Sequence, residues 1–402
     1  VAPENTFRPF GLRGKKQVAL NTPVRTVDPP ASIPGLTGIR GYAALWVVVS
    51  HLSFTDFLLF PLGMRARWER GMGLVTHEYL AVDVFFMLSG FVLAHVHGNE
   101  FNRGIARPEY ARFLLLRLAR IYPMHLLGLG LAAIAVHFIP DPAGGNHAQG
   151  LILQLLLMGS WGLGPRFSFN LPSWSLCSEW FAYLLFPLVA LTAGALRTTR
   201  ARVVGLAVII GAFYVFMFRQ PFPPLDYYNG FGAQTRVMTG VCLGVVLRGL
   251  YEDERLRRLP WTWILYASLP IAAFSMSELS GVRRPNNMGA YVMMIVILLA
   301  AALGKGRLML PLTGRFPRYV GEISFGIYIL HYPVLRTLRV LFQDRLAALA
   351  ASGTELQVWA TLIGSIVVVM LVAAAAHHLV EDPFRRWAKR RITAYTTRPR
   401  AS

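Results

Sequence analysis

The chain is short of charge. Asp, Glu, Lys and Arg make up 15% of its 402 residues, whereas soluble domains carry about 25%. So little polar surface cannot wrap a core of this size, which excludes an ordinary soluble enzyme. Acidic residues are the scarcer kind: 20 Asp and Glu stand against 40 Lys and Arg, a formal net charge of +20. Cysteine is nearly absent, and Cys177 and Cys242 both lie in apolar segments, which rules out a disulfide framework and a cysteine zinc site. Gly-rich phosphate loops, nucleophile elbows and a convincing i, i+4 pair of metal ligands are also missing, so no metal is expected.

Apolar residues fill the place of the missing charge, at 54% of the chain. The stretches 121–140, 259–277, 285–304 and 356–380 contain no Asp, Glu, Lys or Arg. About 20 mostly apolar residues cross a bilayer as a helix, so the expected fold is all-α, a polytopic integral membrane protein. Apolar segments fall near 36–58, 79–97, 112–138, 148–161, 174–196, 203–218, 233–247, 260–278, 288–304, 319–342 and 357–380.

Loop charge arbitrates among these segments. If every one crosses except 148–161 and the N-terminus lies inside, 26 of the Lys and Arg fall in inner pieces and nine in outer ones. Such a bias matches the enrichment of Lys and Arg on the cytoplasmic side. Letting 148–161 cross as well would put the basic pieces 197–202 and 248–258 outside and collapse it. About ten transmembrane helices are therefore expected, with both termini cytoplasmic and 148–161 re-entrant or lying along the outer surface. Residues 1–32 read as a cytoplasmic, partly disordered lead-in, 33–391 as the membrane domain and 392–402 as a basic cytoplasmic tail. The basic residues are scattered over the inner loops rather than gathered on one soluble face, which argues against a nucleic-acid partner.

Ionisable groups inside apolar spans cost roughly 2.5–3.5 kcal/mol each on insertion scales, so their positions carry information. Arg40 and His51 are eleven residues apart on the first span, on one helix face about 16 Å apart. A guanidinium near the cytosol and an imidazole deep in the membrane would line one polar passage; the plainer reading is a snorkelling Arg and a structural His. Arg117 and Arg120 share a face of the third span. Two arginine forks there suit an anionic, phosphate-bearing ligand, though snorkelling accounts for Arg112 and in part for Arg117. Glu179 lies about 8 Å inside a helix that starts after Leu171-Pro-Ser and needs a partner at that depth, either structural or catalytic. Asp83, near the outer end of the second span, reads best as paired with a helix terminus or a neighbouring Arg. In the tenth span Ser324, Tyr328 and His331 form one polar stripe.

These motifs, taken in order, resemble the integral-membrane acyltransferase 3 family across about residues 33–391. Ile33-Pro-Gly-Leu-Thr-Gly-Ile-Arg40-Gly followed by His51 is similar to that family's first-span Arg-x10-His signature. Val82-Asp-Val-Phe-Phe-Met-Leu-Ser-Gly-Phe91 and Arg117-Leu-Ala-Arg-Ile-Tyr-Pro123 resemble its second and third motifs. Trp174-Ser-Leu-Cys-Ser-Glu179, Ser324-Phe-Gly-Ile-Tyr-Ile-Leu-His331-Tyr-Pro and Glu381-Asp-Pro-Phe-Arg-Arg386 resemble the remainder. The chain departs from the pattern at Thr37 and Trp180, where acidic residues are usual or frequent.

The resemblance implies a membrane O-acyltransferase of the bacterial inner membrane, moving an acyl group, often acetyl, from cytosolic acyl-CoA to a hydroxyl. The acceptor would be a cell-envelope glycan, a lipid-linked sugar or a related molecule. Arg40, Arg117 and Arg120 would hold the cofactor's phosphates, with Tyr122 and His331 as further cofactor-binding candidates. His51 would serve as general base and Glu179 would orient the imidazole or the acceptor; a covalent acyl-histidine route stays open. The rival from another class is a transporter or lipid flippase using the same buried Arg, His and Glu as a pathway. Against it, the sequence shows no two similar halves.

Overall fold

The structure is a computed structural model that describes residues 32–54, 77–101, 104–138, 148–165, 168–219, 229–276 and 288–396. The lead-in before Ser32, the end of the basic tail after Thr396 and the outer-loop arginines Arg65, Arg67, Arg70, Arg166, Arg283 and Arg284 lie outside these residues. The described residues form helices and no strand. In order they are α1 (Pro34–Phe54), α2 (Tyr79–Phe101), α3 (Arg107–Phe138), α4 (Ala148–Leu155), α5 (Ser173–Ala193), α6 (Thr199–Phe218), α7 (Gly230–Tyr251), α8 (Trp261–Met276), α9 (Met288–Leu303), α10 (Arg315–Glu322), α11 (Ser324–Leu341), α12 (Gln343–Ser352), α13 (Glu355–Ala376) and α14 (Asp382–Thr396), with short helical turns between some of them.

Among the described residues six helices are long and apolar enough to cross a membrane: α2, α3, α5, α6, α7 and α13, the last running on towards α14. Two shorter apolar helices, α8 and α9, have 16 residues each. The polar-bearing α1 and α11 have 21 and 18 residues. The outward faces fit lipid rather than water. Leu356, Trp359, Ile363, Val367 and Leu371 form an exposed stripe at helical spacing along α13, and Val203, Val204, Val208 and Val215 stand exposed on α6. A soluble monomer rarely shows so continuous an apolar surface. The chain thus has the make-up of a multi-pass membrane protein.

Helix ends follow local chemistry. Thr198 caps α6 by accepting from the Ala201 N–H, and Asn229 caps α7. Thr354 and Gln357 form a reciprocal capping box at the start of α13. Proline at 123, 187, 270 and 333 is carried inside helices, as membrane helices tolerate.

One detail differs from the reading of the sequence. The apolar run 319–342 is two helices, α10 and α11, which meet at Ile323. The segment 148–161 forms a helix of only eight residues, about 12 Å long at 1.5 Å per residue, less than half a hydrocarbon core. Its last turn meets the middle of α3: the Tyr122 hydroxyl donates to the Leu155 carbonyl at 3.0 Å, and His125 Nε2 donates to the Gln154 carbonyl at 2.8 Å.

Close backbone contact fixes the centre of the bundle. α2 and α7 pack along their length because Gly90 and Gly244 leave no side chain between them. A Cβ on Gly244 would overlap the Met87 carbonyl oxygen, and one on Gly90 that of Val241. This is the small-residue packing that membrane helices use in place of a hydrophobic driving force.

Candidate functional site

The site begins on α1. His51 sits three turns along from Arg40, and its Nδ1 lies 2.9 Å from the Val47 carbonyl. A carbonyl oxygen can only accept, so the neutral ring carries its proton on Nδ1 and its lone pair on Nε2. The His331 ring of α11 approaches edge-on, with centroids 4.9 Å apart and planes at 67°; Tyr332 lies 6.4 Å from His51 in the same manner. His331 is fully buried. One turn back, the Tyr328 and Ser175 hydroxyls share a hydrogen bond of 2.7 Å, which ties α11 to the start of α5.

Arg40 is held by backbone. Its Nε and Nη2 both donate to the Gly321 carbonyl, at 2.9 and 2.5 Å. α10 reaches it because Gly321 has no side chain; a Cβ there would overlap the Thr37 carbonyl oxygen. Glu381, Glu322, Arg120 and Arg385 are its electrostatic neighbours. Glu381 is buried and bonded to His377 Nδ1 at 2.9 Å, within a π-helical turn (His377–Glu381) that links α13 to α14. One edge of the Arg40 guanidinium therefore has a structural task, docking α10 on α1.

Arg117 and Arg120 lie together on α3 and are electrostatic neighbours. Arg117 Nη2 is 3.1 Å from His97 Nε2, and its guanidinium stands over the Phe113 ring at 5.9 Å. His97 is in turn 3.2 Å from Glu100, which faces Arg112 at 3.8 Å. Arg117 Nε is buried and makes no hydrogen bond. Glu179 Oε1 accepts from the Tyr183 hydroxyl at 2.6 Å and is an electrostatic neighbour of both Arg117 and Tyr328. It thus stands between the arginine group and the helix that carries His331.

The candidates divide accordingly. His51 and His331 come together, and Arg40, Arg117, Arg120 and Glu179 form a linked charged group. Tyr122 is turned instead to the Leu155 carbonyl, where it holds α4. Asp83 is paired as expected, and its partner is Arg236 of α7, with Nη2 3.0 Å from Oδ2 and Nε 3.2 Å from Oδ1. Arg236 also donates to the Tyr79 carbonyl at 3.1 Å and lies 5.2 Å over Trp174, with no exposed surface. The loop-charge count took Arg236 with the outer charges although it falls within the apolar segment 233–247; the structure puts it inside α7, about two turns from the helix start at Gly230.

Several polar residues escaped the sequence reading. Tyr183 belongs to the same motif as Glu179, one turn on, but its bond to that carboxylate was not foreseen. Gln154, which bonds Ser168 and accepts from Ser173, and Asn170, which donates to the Ile329 carbonyl at 2.9 Å, line the inner side of α4 and α5. Their signal was an amide within an otherwise apolar neighbourhood. Among the described residues no three His, Cys, Asp or Glu side chains converge as a metal site.

Comparison with known proteins adds an independent line. A family model described as an acyltransferase domain matches residues 33–378. Acyltransferase MdmB of Streptomyces mycarofaciens is 28% identical over 384 residues, 89% of this chain and 93% of that one. Protein 2 in picA locus of Rhizobium radiobacter is 34% identical over 198 residues, 45% of this chain and 92% of its own length. Peptidoglycan O-acetyltransferase OatA of Listeria monocytogenes is 20% identical over 379 residues. This chain spans 56% of the Listeria protein's length. No solved structure matches the chain.

Proposed function

From the premise that this chain belongs to the acyltransferase 3 family and is an acyltransferase, we propose that it moves an acyl group from acyl-CoA to a hydroxyl of a cell-envelope glycan or related acceptor. The observation that carries the reading is the tautomer of His51, whose Nδ1 is held by the Val47 carbonyl so that the basic nitrogen is Nε2. In this reading His51 Nε2 takes the proton of the acceptor hydroxyl as its oxygen attacks the thioester carbonyl. The carbon–sulfur bond breaks, an ester forms, and the proton passes from His51 to the leaving thiolate. Arg117, Arg120 and the uncommitted edge of Arg40 hold the cofactor's phosphates, as arginine forks do. Glu179 keeps the arginine group in place through Tyr183 and faces the passage between the phosphates and the imidazole.

Acyl-CoA is the donor in this reading because Arg40, an electrostatic neighbour of Arg120 on α3, shares α1 with the imidazole, about 16 Å away along the helix axis. A long, thin arm bridges such a separation. The acceptor class follows the Listeria relative, whose name is peptidoglycan O-acetyltransferase. The topology that fits is about ten spans with both termini in the cytoplasm, in a bacterial inner membrane, so that the Arg40 end faces the acyl-CoA pool. Membership of this family does not favour the transporter reading. Inside-out membrane vesicles holding the chain decide between them: with acetyl-CoA they are expected to release free thiol faster than vesicles without it. Equal release would remove the acyl-CoA reading.

A further inference from the structure

His331 has a feature that general-base chemistry at His51 leaves unexplained. Its Nδ1 lies 2.6 Å from the Tyr328 carbonyl, so this ring too bears its proton on Nδ1 and its lone pair on Nε2. The side chain is fully buried, and Nε2 has no hydrogen-bond partner. Enclosed acceptors are almost always satisfied, and leaving one unsatisfied is destabilising. His51 does not supply the missing donor in the neutral state, since its own proton is on Nδ1 against Val47. The two ring centroids are 4.9 Å apart, and a proton transfer at His51 leaves the His331 Nε2 acceptor unused.

We propose that His331 is a positioning residue for the acyl donor, its Nε2 accepting the N–H of the amide nearest the thioester. The inference rests on the acyl-CoA reading above. Every acyl-CoA carries two methylenes between its thioester sulfur and that amide nitrogen. Ordinary bond lengths put sulfur and nitrogen roughly 4 Å apart when extended, close to the separation of the two rings. A thioester presented to His51 thus brings its amide to the neighbouring imidazole. The needs are complementary: an amide N–H entering an apolar helix bundle requires an acceptor, and His331 Nε2 is an enclosed acceptor that requires a donor. The bond fixes the sliding position of the arm, and with it the place of the carbonyl carbon beside His51.

The test uses acetyl-CoA and an analogue with an ester oxygen in place of that amide N–H, which keeps the shape and loses the donor. Thiol release is measured in inside-out vesicles containing the full chain. The wild type is expected to use the analogue about tenfold less efficiently in kcat/KM, the effect of one buried hydrogen bond. His331→Leu is expected to use both donors equally and poorly, and His331→Gln, which retains an acceptor, to regain part of the preference. Equal use of the two donors by the wild type would overturn the inference while leaving the acyl-CoA reading intact; this arm needs no variant and is unaffected if His331→Leu fails to fold. A preference that persists in His331→Leu would also overturn it. No thiol release from acetyl-CoA itself would instead remove the reading beneath.

Discussion

Arg236 and Arg117 both lie within the helix bundle, and their surroundings treat them differently. Arg236 is saturated: two bonds to Asp83, one to the Tyr79 carbonyl and a Trp174 ring against the guanidinium. Arg117 meets an imidazole, the Phe113 ring and a carboxylate within electrostatic reach, and its Nε is unbonded. A charge neutralised by a carboxylate of the same fold locks helices together. A charge with hydrogen-bonding capacity in hand is suited to an anion that arrives with a ligand. The same contrast holds among neutral groups, between the paired hydroxyls of Ser175 and Tyr328 and the lone Nε2 of His331.

Experiments can break this comparison, the largest effect first. Replacing one member of the locked pair, as in Arg236→Met, leaves Asp83 buried without its counter-charge and is expected to cost about 3–5 kcal/mol. The expected signs are a large fall in thermal midpoint and in monodisperse yield, with much of the loss recovered in Asp83→Leu/Arg236→Met. If the single variant behaves as wild type, the pair is not the lock described. Gly244→Leu is a second way to part α2 from α7, expected to cost about 1–3 kcal/mol or more through overpacking, read in the same melting assay.

Smaller effects belong to the open group. Arg120→Gln and Arg117→Gln are each expected to weaken CoA binding about tenfold, the loss of one charge-assisted hydrogen bond, with little change in melting temperature. A large stability loss and unchanged affinity would make these arginines structural like Arg236. The smallest change is expected from Tyr183→Phe, which removes one hydrogen bond to Glu179, about 1 kcal/mol, and should raise KM slightly at unchanged kcat.

The sequence made the helices legible because their signal is local. Runs without charge mark α8, α9 and α13 within a few residues, and the run 121–140 covers the second half of α3. What it left hidden depended on partners distant in the chain. Asp83 announced the need for a cation, but Arg236 is 153 residues away, and a count of loop charges put it outside. Arg40 read as either a ligand-binding or a snorkelling group, yet Gly321, 281 residues on, takes two of its N–H groups. The joint at Ile323 was invisible because Tyr319-Val-Gly at the end of α10 adjoins the apolar start of α11 and reads as one run with it. Among the site residues, His51 and His331 were marked by ionisable groups in apolar helices, but their meeting is tertiary. Tyr122 drew attention through its motif, and the structure gives it to α4.

The central claim is that a neutral imidazole on α1 activates the acceptor while arginines elsewhere hold the donor. The most direct measurement pairs CoA affinity with thiol release for His51→Ala in the full-length protein. The account predicts near-native affinity together with a rate reduced about 10²–10⁴-fold, the usual worth of a general base. Thiol release within a few-fold of wild type at equal protein would contradict it.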